Sequence, residues 1–215
     1  MVITDRRNIV IIGCGPGSRE HLTEAARQAM LNADVLIGAG HLIDSLAPPN
    51  KECIRFGTDV DEALQNISDR LTHGRVAVLV SGDPGISSLA ASVIRRFGRE
   101  NCEVVPGISS IQMAFARIGI DWLDARILDA HGSIPGTSFN ELIGCGKLAI
   151  LAGHRDSAAW IAELGLALGE GYTAFICEDL ALPSERIRRL KSCNMRDAGV
   201  TGKAVILYIR EDLLQ

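Results

Sequence analysis

The segment IVIIGCGPGSREHLTEAARQAM at residues 9–30 decides the fold that we expect for this chain. Its first four residues, Ile9 to Ile12, are a continuous apolar run, which is typical of a strand buried on both faces. The turn Gly13–Gly17 comes next, and the apolar residues that follow the turn recur at helical spacing. A strand, a glycine turn and a helix in this order favour an α/β fold with a parallel sheet.

The same alternation of strands and helices continues through residue 120. The strands predicted after the first are residues 34–38, 75–80 and 102–105. The predicted helices are residues 22–33, 60–71, 89–94 and 113–118. Repeated strand–helix units imply a mostly parallel sheet with helices on both faces, so we predict an N-terminal α/β domain at residues 1–120.

The pattern after residue 120 contains more strands for each helix. The strands predicted there are residues 126–130, 147–152, 173–178, 185–190 and 204–210. The one convincing helix is residues 157–168. We therefore predict a second α/β domain with a mixed sheet at residues 125–215, and the expected fold class is α/β with two domains.

Charge and hydropathy exclude several classes of protein. The formal net charge is -4, and no dense run of Lys and Arg supplies the basic face that nucleic-acid binding needs. The most basic segment, residues 186–191, contains interspersed apolar residues and is expected to form a solvated or substrate-facing edge. No segment approaches the roughly 20 apolar residues of a membrane span. We expect a cytoplasmic protein that binds neither nucleic acid nor membrane.

The six cysteines are widely spread along the chain. They form no CxxC pair and have no histidine nearby at the spacing of a zinc site. Several lie inside apolar runs, where cysteine behaves as a small buried hydrophobic residue. We expect reduced, structural thiols and no metal site.

Three glycine-rich turns follow predicted strands of the N-terminal half. They are GCGPG at residues 13–17, SGDPG at 81–85 and PGISS at 106–110. In an open α/β sheet, ligands bind beyond the carboxyl ends of the strands, and glycine lets the backbone approach a ligand closely. Three such turns at matching strand ends are expected to line one crevice.

A dinucleotide-binding oxidoreductase is the alternative from another class. Gly13 and Gly15 open the dinucleotide fingerprint, but Ser18 stands where the fingerprint requires its third glycine. Asp34 precedes the second strand, whereas the ribose-binding acid should follow it. Pro16 also lacks the amide that a phosphate would use. Phosphate binding is therefore disfavoured.

The chain resembles the tetrapyrrole methylases, a family that uses S-adenosylmethionine. Residues 12–23 are similar to the opening of that family, and Ala33-Asp34-Val35 and the turns at 81–85 and 106–110 match its next signatures in order. The mid-chain and C-terminal signatures resemble His131-Gly132 and residues 178–187. There are two departures, in Ile86-Ser87, where the family often has an aromatic residue, and in Asp129-Ala130 before His131, where Ser-Leu is expected.

Within that family, residues 17–23 and 111–119 most resemble the members that methylate C5 of cobalt-precorrin-7 in cobalamin biosynthesis. Some organisms fuse this activity to a decarboxylating C15-methyltransferase. The length of 215 residues leaves no room for that domain, so the resemblance implies a separate partner enzyme. It also implies a homodimer. Methylation at another ring carbon, or of a non-tetrapyrrole substrate, remains the alternative within the fold.

The resemblance further implies two α/β domains with a ligand cleft between them and suggests which residues bind. Arg117 and Arg186 are weaker candidates for substrate carboxylates, since both are expected to be ordinary surface residues. His131 is the one histidine candidate for a general base, and a packed structural histidine is the alternative. The residues expected to contact S-adenosylmethionine are Gly82, Asp83, Ser109, Ser110, Ala152, Gly153 and Ala204. Those expected to shape the tetrapyrrole trough are Gly13, Gly15, Pro16, Gly17 and Arg19.

Overall fold

The computed structural model describes residues 7–200 and 204–215, which form two compact units. The first unit is Met1–Ser109 and the second is Ser110–Gln215. This division differs from the predicted domain bounds in the placement of helix α5 (Ser110–Ile118). That helix contacts strand β10 (Ala204–Arg210) and therefore groups with the second unit, whereas the sequence pattern placed it in the first.

The first unit contains a five-stranded sheet in which all neighbouring strands are parallel. Its strands are β1 (Ile9–Gly13), β2 (Val35–Ala39), β3 (Glu52–Phe56), β4 (Val76–Val80) and β5 (Cys102–Val105). They lie in the order β3-β2-β4-β1-β5. Every residue of β1 and β4 is buried, because both strands lie inside the sheet and are apolar on both faces. The predicted parallel sheet is confirmed.

Helices cover both faces of this sheet. They are α1 (Glu24–Asn32), α2 (Gly40–Leu46), α3 (Val60–Arg70) and α4 (Ala90–Phe97). Val10 and Ile12 of β1 belong to a core with α1 and α2, whereas Ile9 and Ile11 belong to a second core with α3 and α4. Successive side chains of a strand point to opposite faces, so one apolar strand serves both cores.

The second unit contains a five-stranded mixed sheet, as predicted. Strands β6 (Arg126–Ala130) and β7 (Lys147–Ala152) are parallel neighbours. Strands β8 (Tyr172–Glu178) and β9 (Arg186–Lys191) join antiparallel, and β10 lies between β7 and β8, antiparallel to both. The strand order is β6-β7-β10-β8-β9.

Helix α7 (Ser157–Leu168) packs on one face of the mixed sheet, and the short helix α6 (Phe139–Leu142) contributes to the same core. Tyr208 of β10 is fully buried there, and its hydroxyl donates to the carbonyl of Ile161 in α7 at 2.6 Å. This bond satisfies the only polar atom of a large aromatic side chain inside the core.

Three elements were not predicted from the sequence, namely α2, β3 and α6. Strand β3 lies at the sheet edge and carries Glu52 and Arg55 on exposed positions, so its apolar signal is interrupted. Helices α2 and α6 span seven and four residues, too few for the periodicity of a helix to stand out. Within the described ranges, no helix is long and apolar enough to cross a membrane.

Candidate functional site

The three glycine-rich turns follow β4, β1 and β5, which are adjacent in the first sheet. All three strands are parallel, so their carboxyl ends meet at one edge. The turns at residues 13–17, 81–85 and 106–110 therefore lie side by side, as the sequence predicted.

Backbone hydrogen bonds join the first two turns. The amide of Gly15 donates to the carbonyl of Gly82 at 3.2 Å, and the amide of Gly82 donates back to the carbonyl of Gly15 at 2.7 Å. The amide of Cys14 donates to the carbonyl of Val80 at 2.9 Å. Gly15 and Gly82 both have a φ of +66°, which favours glycine because a side chain rarely adopts it.

The first and third turns touch through glycine. A β-carbon built on Gly13 would lie 2.8 Å from the α-carbon of Gly107 and 2.7 Å from Cδ of Pro84. A β-carbon on Gly107 would lie 2.6 Å from the carbonyl carbon and oxygen of Gly13. The close approach of these two backbones explains why both positions are glycine. Gly107 was not predicted as a site residue, although it lies in the quoted third turn.

Asp83 joins the second turn to the third. Its Oδ1 accepts from the amide of Gly85 at 2.8 Å, and its Oδ2 accepts from the amide of Gly107 at 3.2 Å. The side chain is therefore anchored by amides of two turns rather than only by its own. Ser109, which ends the first unit, is buried, whereas Ser110 begins α5 in the second unit.

The residues predicted to shape the trough lie on this edge or just beyond it. Pro16 and Gly17 are half-buried, and no atom lies within 4 Å of a β-carbon built on Gly17. Arg19 is exposed, and its Nε donates to the carbonyl of Ser45 in α2 at 2.7 Å. Ser18 and His21 are hydrogen-bonded at 2.7 Å, which fixes the conformation between the turn and α1. Arg19 therefore lies beside the first turn and contacts α2, and its binding of substrate stays a prediction.

Burial controls the chemistry of the first turn. Cys14 is completely buried, and this desolvation raises the pKa of its thiol to about 12. A thiol with that pKa stays protonated near neutral pH and is a poor nucleophile. The described residues contain no cluster of three or more His, Cys, Asp or Glu that could hold a metal ion.

In the second unit, His131 and Gly153 lie against each other. They follow β6 and β7, which are parallel neighbours, so their carboxyl ends coincide. A β-carbon on Gly153 would lie 2.8 Å from Cε1 of His131 and closer still to Nδ1. Nδ1 of His131 lies 3.5 Å from the carbonyl oxygen of Ala152. The structure thus brings together three residues that the sequence analysis selected separately.

Ala204 lies beside the same strand end. Val205 pairs with Leu151 in the antiparallel ladder of β10 and β7, so Ala204 and Ala152 occupy the next neighbouring positions. Both are buried. Asp129, one of the departures from the family pattern, accepts from the amide of His131 at 2.9 Å and fixes the turn after β6. That role was not predicted for Asp129.

The C-terminal signature forms the β8–β9 connection, where Glu185 is the central acceptor. Its carboxylate accepts hydrogen bonds from Nε of Arg117 at 2.6 Å and from the amide of Ala181 at 2.6 Å. Arg117 is therefore engaged within the second unit, as expected for a structural residue, and Arg186 is exposed at the start of β9. The role of Glu185 was missed, although the residue lies in the quoted motif.

A cavity of about 260 Å³ beside α7 contains none of the predicted site residues. It is lined by small residues such as Ala158 and Ala162 of α7, together with Met195 and Arg196. Because none of the residues singled out in the sequence lines this cavity, the glycine turns and the His131–Gly153 contact are better candidates for the site.

Comparison with known proteins decides the family. The family model for tetrapyrrole (corrin/porphyrin) methylases matches residues 8–193. The chain belongs to the tetrapyrrole methylases. Members of this family are S-adenosylmethionine-dependent methyltransferases, and so is this chain, which excludes the dinucleotide-binding alternative.

Two curated relatives and one solved structure show the range of similarity. A cobalt-precorrin-7 C(5)-methyltransferase of Salmonella typhimurium is 32% identical over 183 residues, covering 85% of this chain and 90% of the relative. A decarboxylating precorrin-6Y C(5,15)-methyltransferase of Mycobacterium tuberculosis is 28% identical, covering 84% of this chain and 45% of the relative. A uroporphyrin-III C-methyltransferase of Thermus thermophilus, solved with S-adenosylhomocysteine, has a TM-score of 0.77 at 21% identity, covering 94% and 96%. The family and the cofactor predicted from the sequence are confirmed.

Proposed function

We propose that this chain methylates C5 of cobalt-precorrin-7 in cobalamin biosynthesis. The observation that carries the proposal is the match to the Salmonella typhimurium cobalt-precorrin-7 C(5)-methyltransferase over 90% of that relative's length. The predicted resemblance of residues 17–23 and 111–119 to the same group of methylases supports the assignment independently of the strand arrangement.

The residues proposed to bind the methyl donor are Gly82, Asp83, Ser109, Ser110, Ala152, Gly153 and Ala204. Four of these positions are glycine or alanine, which suits a site that binds the adenosine and amino-acid groups of S-adenosylmethionine mainly through backbone amides and carbonyls. The expectation that the donor lies in a cleft between the domains stays a prediction.

The tetrapyrrole is proposed to bind beside the first turn. Gly13, Gly15, Pro16 and Gly17 would shape the floor, where absent side chains allow a flat macrocycle to approach the backbone. Arg19 would bind an acetate or propionate group of the substrate, since a guanidinium forms paired hydrogen bonds to a carboxylate.

The chemistry requires orientation more than covalent catalysis. When bound, S-adenosylmethionine supplies a methyl group on a positively charged sulfur. The ring-carbon–methyl bond forms as the sulfur–methyl bond breaks, so the protein must align the two reactants and exclude water. His131 is the proposed acceptor of a proton released afterwards; with Nδ1 facing the carbonyl of Ala152, Nε2 would be its basic nitrogen.

Three wider features are also proposals. A separate decarboxylating C15-methyltransferase is proposed as a partner from the family resemblance, and the C(5,15)-methyltransferase of Mycobacterium tuberculosis is about twice as long as the region that matches this chain. A homodimer and a cytoplasmic location are proposed from the family resemblance.

Calorimetric titration with S-adenosylhomocysteine, with NADH as the control ligand, tests the donor site. We expect one-to-one binding of the first and none of the second. Incubation with cobalt-precorrin-7 and methyl-labelled donor, followed by NMR of the product, then tests the carbon. Label at C5 supports the proposal. Label at another ring carbon, or none with this substrate while the donor binds, would redirect it to a different methylase substrate.

A further inference from the structure

Asp83 occupies an unusual place among the turns of the first unit. One carboxylate oxygen accepts an amide two residues ahead, at Gly85, and the other accepts the amide of Gly107, which is 24 residues away in the chain. A turn-forming aspartate needs only the first of these bonds. The second bond links the turn after β4 to the turn after β5.

These strands are not neighbours in the sheet. Strand β1 lies between β4 and β5, so no strand ladder joins the second turn directly to the third. The third turn instead touches the first turn through Gly13 and Gly107. It also lies close to the second turn, because a β-carbon on Gly107 would clash with the carbonyl oxygen of Gly82. The Asp83 carboxylate therefore links the turn after β4 to the turn after β5, although β1 lies between these strands. The bond holds the third turn where its backbone contacts the other two turns.

The carboxylate has both oxygens directed at backbone amides. Such hydrogen bonds to a charged acceptor are stronger than neutral ones, and breaking one leaves an amide unsatisfied. Pro106, beside Gly107, has no amide of its own, which increases the importance of the Gly107 amide for holding this turn. Ser109 of the proposed donor site lies two residues farther along the same turn.

We infer that Asp83 is a positioning residue that holds the Pro106–Ser109 turn against the Gly82–Gly85 turn and supports donor binding through that turn. This inference rests on the proposed donor site. It assigns to Asp83 an indirect role, in which the carboxylate shapes the binding surface and its charge makes no contact with the sulfonium.

The variants Asp83→Ala and Asp83→Asn test this role. The Ala variant loses both bonds, and the Asn variant keeps one acceptor oxygen and about the same volume. Asp59→Ala is the matched control, because the Asp59 carboxylate also accepts two backbone amides, those of Asp61 and Glu62, but at the start of α3.

Two measurements are made on each variant. The first is amide exchange in the ligand-free protein, followed at residues 102–110. We expect faster exchange at Gly107 in Asp83→Ala and no change there in Asp59→Ala. The second is calorimetric binding of neutral S-adenosylhomocysteine and of cationic S-adenosylmethionine. We expect Asp83→Ala to weaken the binding of both ligands by the same factor, at least about tenfold. Asp83→Asn should also weaken the binding of both ligands equally, but by a smaller factor.

The outcomes separate the two roles of Asp83. Unchanged exchange at Gly107 in Asp83→Ala overturns the inference. A larger loss for S-adenosylmethionine than for S-adenosylhomocysteine in Asp83→Asn also overturns it, since the sulfonium charge that a carboxylate would contact is present only in S-adenosylmethionine. If Asp83→Ala does not fold, the Asn variant decides by the same criteria. Failure of the wild-type chain to bind either ligand would refute the proposed function, while the exchange measurement would still decide whether Asp83 holds the turn.

Discussion

The candidate regions of the two units are built differently. At the carboxyl edge of the parallel sheet, the turns meet through backbone, with Gly13 against Gly107 and paired hydrogen bonds between Gly15 and Gly82. In the second unit, side chains make the contacts that hold the candidate regions. His131 lies against Gly153, and Glu185 joins Arg117 to the β8–β9 connection.

This difference predicts different tolerance to substitution. A backbone held against backbone cannot move aside without shifting its strand, so an added methyl group is expected to disturb the whole edge. A side chain can change rotamer and relieve the same clash at a smaller cost. Replacing a glycine by alanine should therefore reduce the free energy of unfolding more in the first unit than in the second. Around His131, the same kind of substitution should affect ligand binding more than it affects stability.

Gly107→Ala should have the largest effect. Its methyl group would lie 2.6 Å from the carbonyl carbon of Gly13 and closer to the carbonyl oxygen of Gly82, and neither neighbour is a flexible side chain. We expect a loss of about 3 kcal/mol in the free energy of unfolding, the upper end for overpacking. Urea denaturation measures it. Gly57→Ala is the control, since Gly57 has open space and an ordinary φ; equal losses in the two variants would contradict the backbone contact.

Gly153→Ala should lose affinity with little loss of stability. Its methyl group would meet the imidazole of His131, which can rotate away, so we expect unfolding to change by less than about 1 kcal/mol. Displacement of the ring at the proposed donor site should weaken S-adenosylhomocysteine binding about tenfold in calorimetry. Gly136→Ala, with open space around it, should change neither quantity. If Gly153→Ala bound S-adenosylhomocysteine with wild-type affinity, the His131–Gly153 contact would not be part of the donor site.

The sequence predicted the strands inside the sheets because their apolar runs are continuous. Strands β1 and β4 are buried at every position and β7 at four of six, and all three were placed to within a residue. The edge strand β3 was missed because exposed Glu52 and Arg55 leave only a two-residue apolar run, Cys53 and Ile54, inside the strand. Helix α5 was found but assigned to the first domain, since its contact with β10 depends on a chain segment more than eighty residues away.

The sequence predicted those parts of the candidate site that depend on where strands end. It did not predict those parts that depend on the order of the strands in the sheet. Glycine turns after parallel strands imply a shared edge, and this was confirmed. The bond from Asp83 to Gly107 depends on where the sheet places the ends of β4 and β5, which local sequence does not specify. The pair of Arg117 and Glu185 spans 68 residues, and its partners could not be matched without the fold.

Glu185→Ala tests how firmly a side chain holds the β8–β9 connection. The substitution removes the acceptor for Arg117 and for the amide of Ala181, whose φ of 64° is uncommon for alanine. Both partners are partly exposed, so we expect a loss of about 1 kcal/mol in unfolding free energy. Arg117→Ala should lose less, because the Ala181 bond survives. Equal losses in the two single variants would show that the ion pair alone holds the connection.

Glu211 should give the smallest effect, measured as a change in how the free energy of unfolding depends on pH in the acid range. Hydrogen bonds from Lys191 and Thr173 lower the pKa of Glu211 below its ordinary value of 4.5. A lowered folded-state pKa stabilises the protein above the unfolded-state pKa, and this stabilisation is lost as the pH falls below the ordinary value of 4.5 and through the lowered folded-state pKa. Glu211→Gln should therefore reduce the acid dependence of unfolding, measured by urea denaturation across that range.

Glu24→Gln is the control for Glu211. The pKa of Glu24 is lowered further, to about 2, mainly by Arg27 and then by Gln28. Those partners lie three and four residues away on the exposed face of α1, so solvent screens the pair and the unfolded chain can retain part of it. Glu211 instead joins β8 and β9 to the C-terminal segment, and these contacts form only on folding. We therefore expect the acid dependence to change more in Glu211→Gln than in Glu24→Gln, and the opposite order would show that local pairing governs acid stability in this chain.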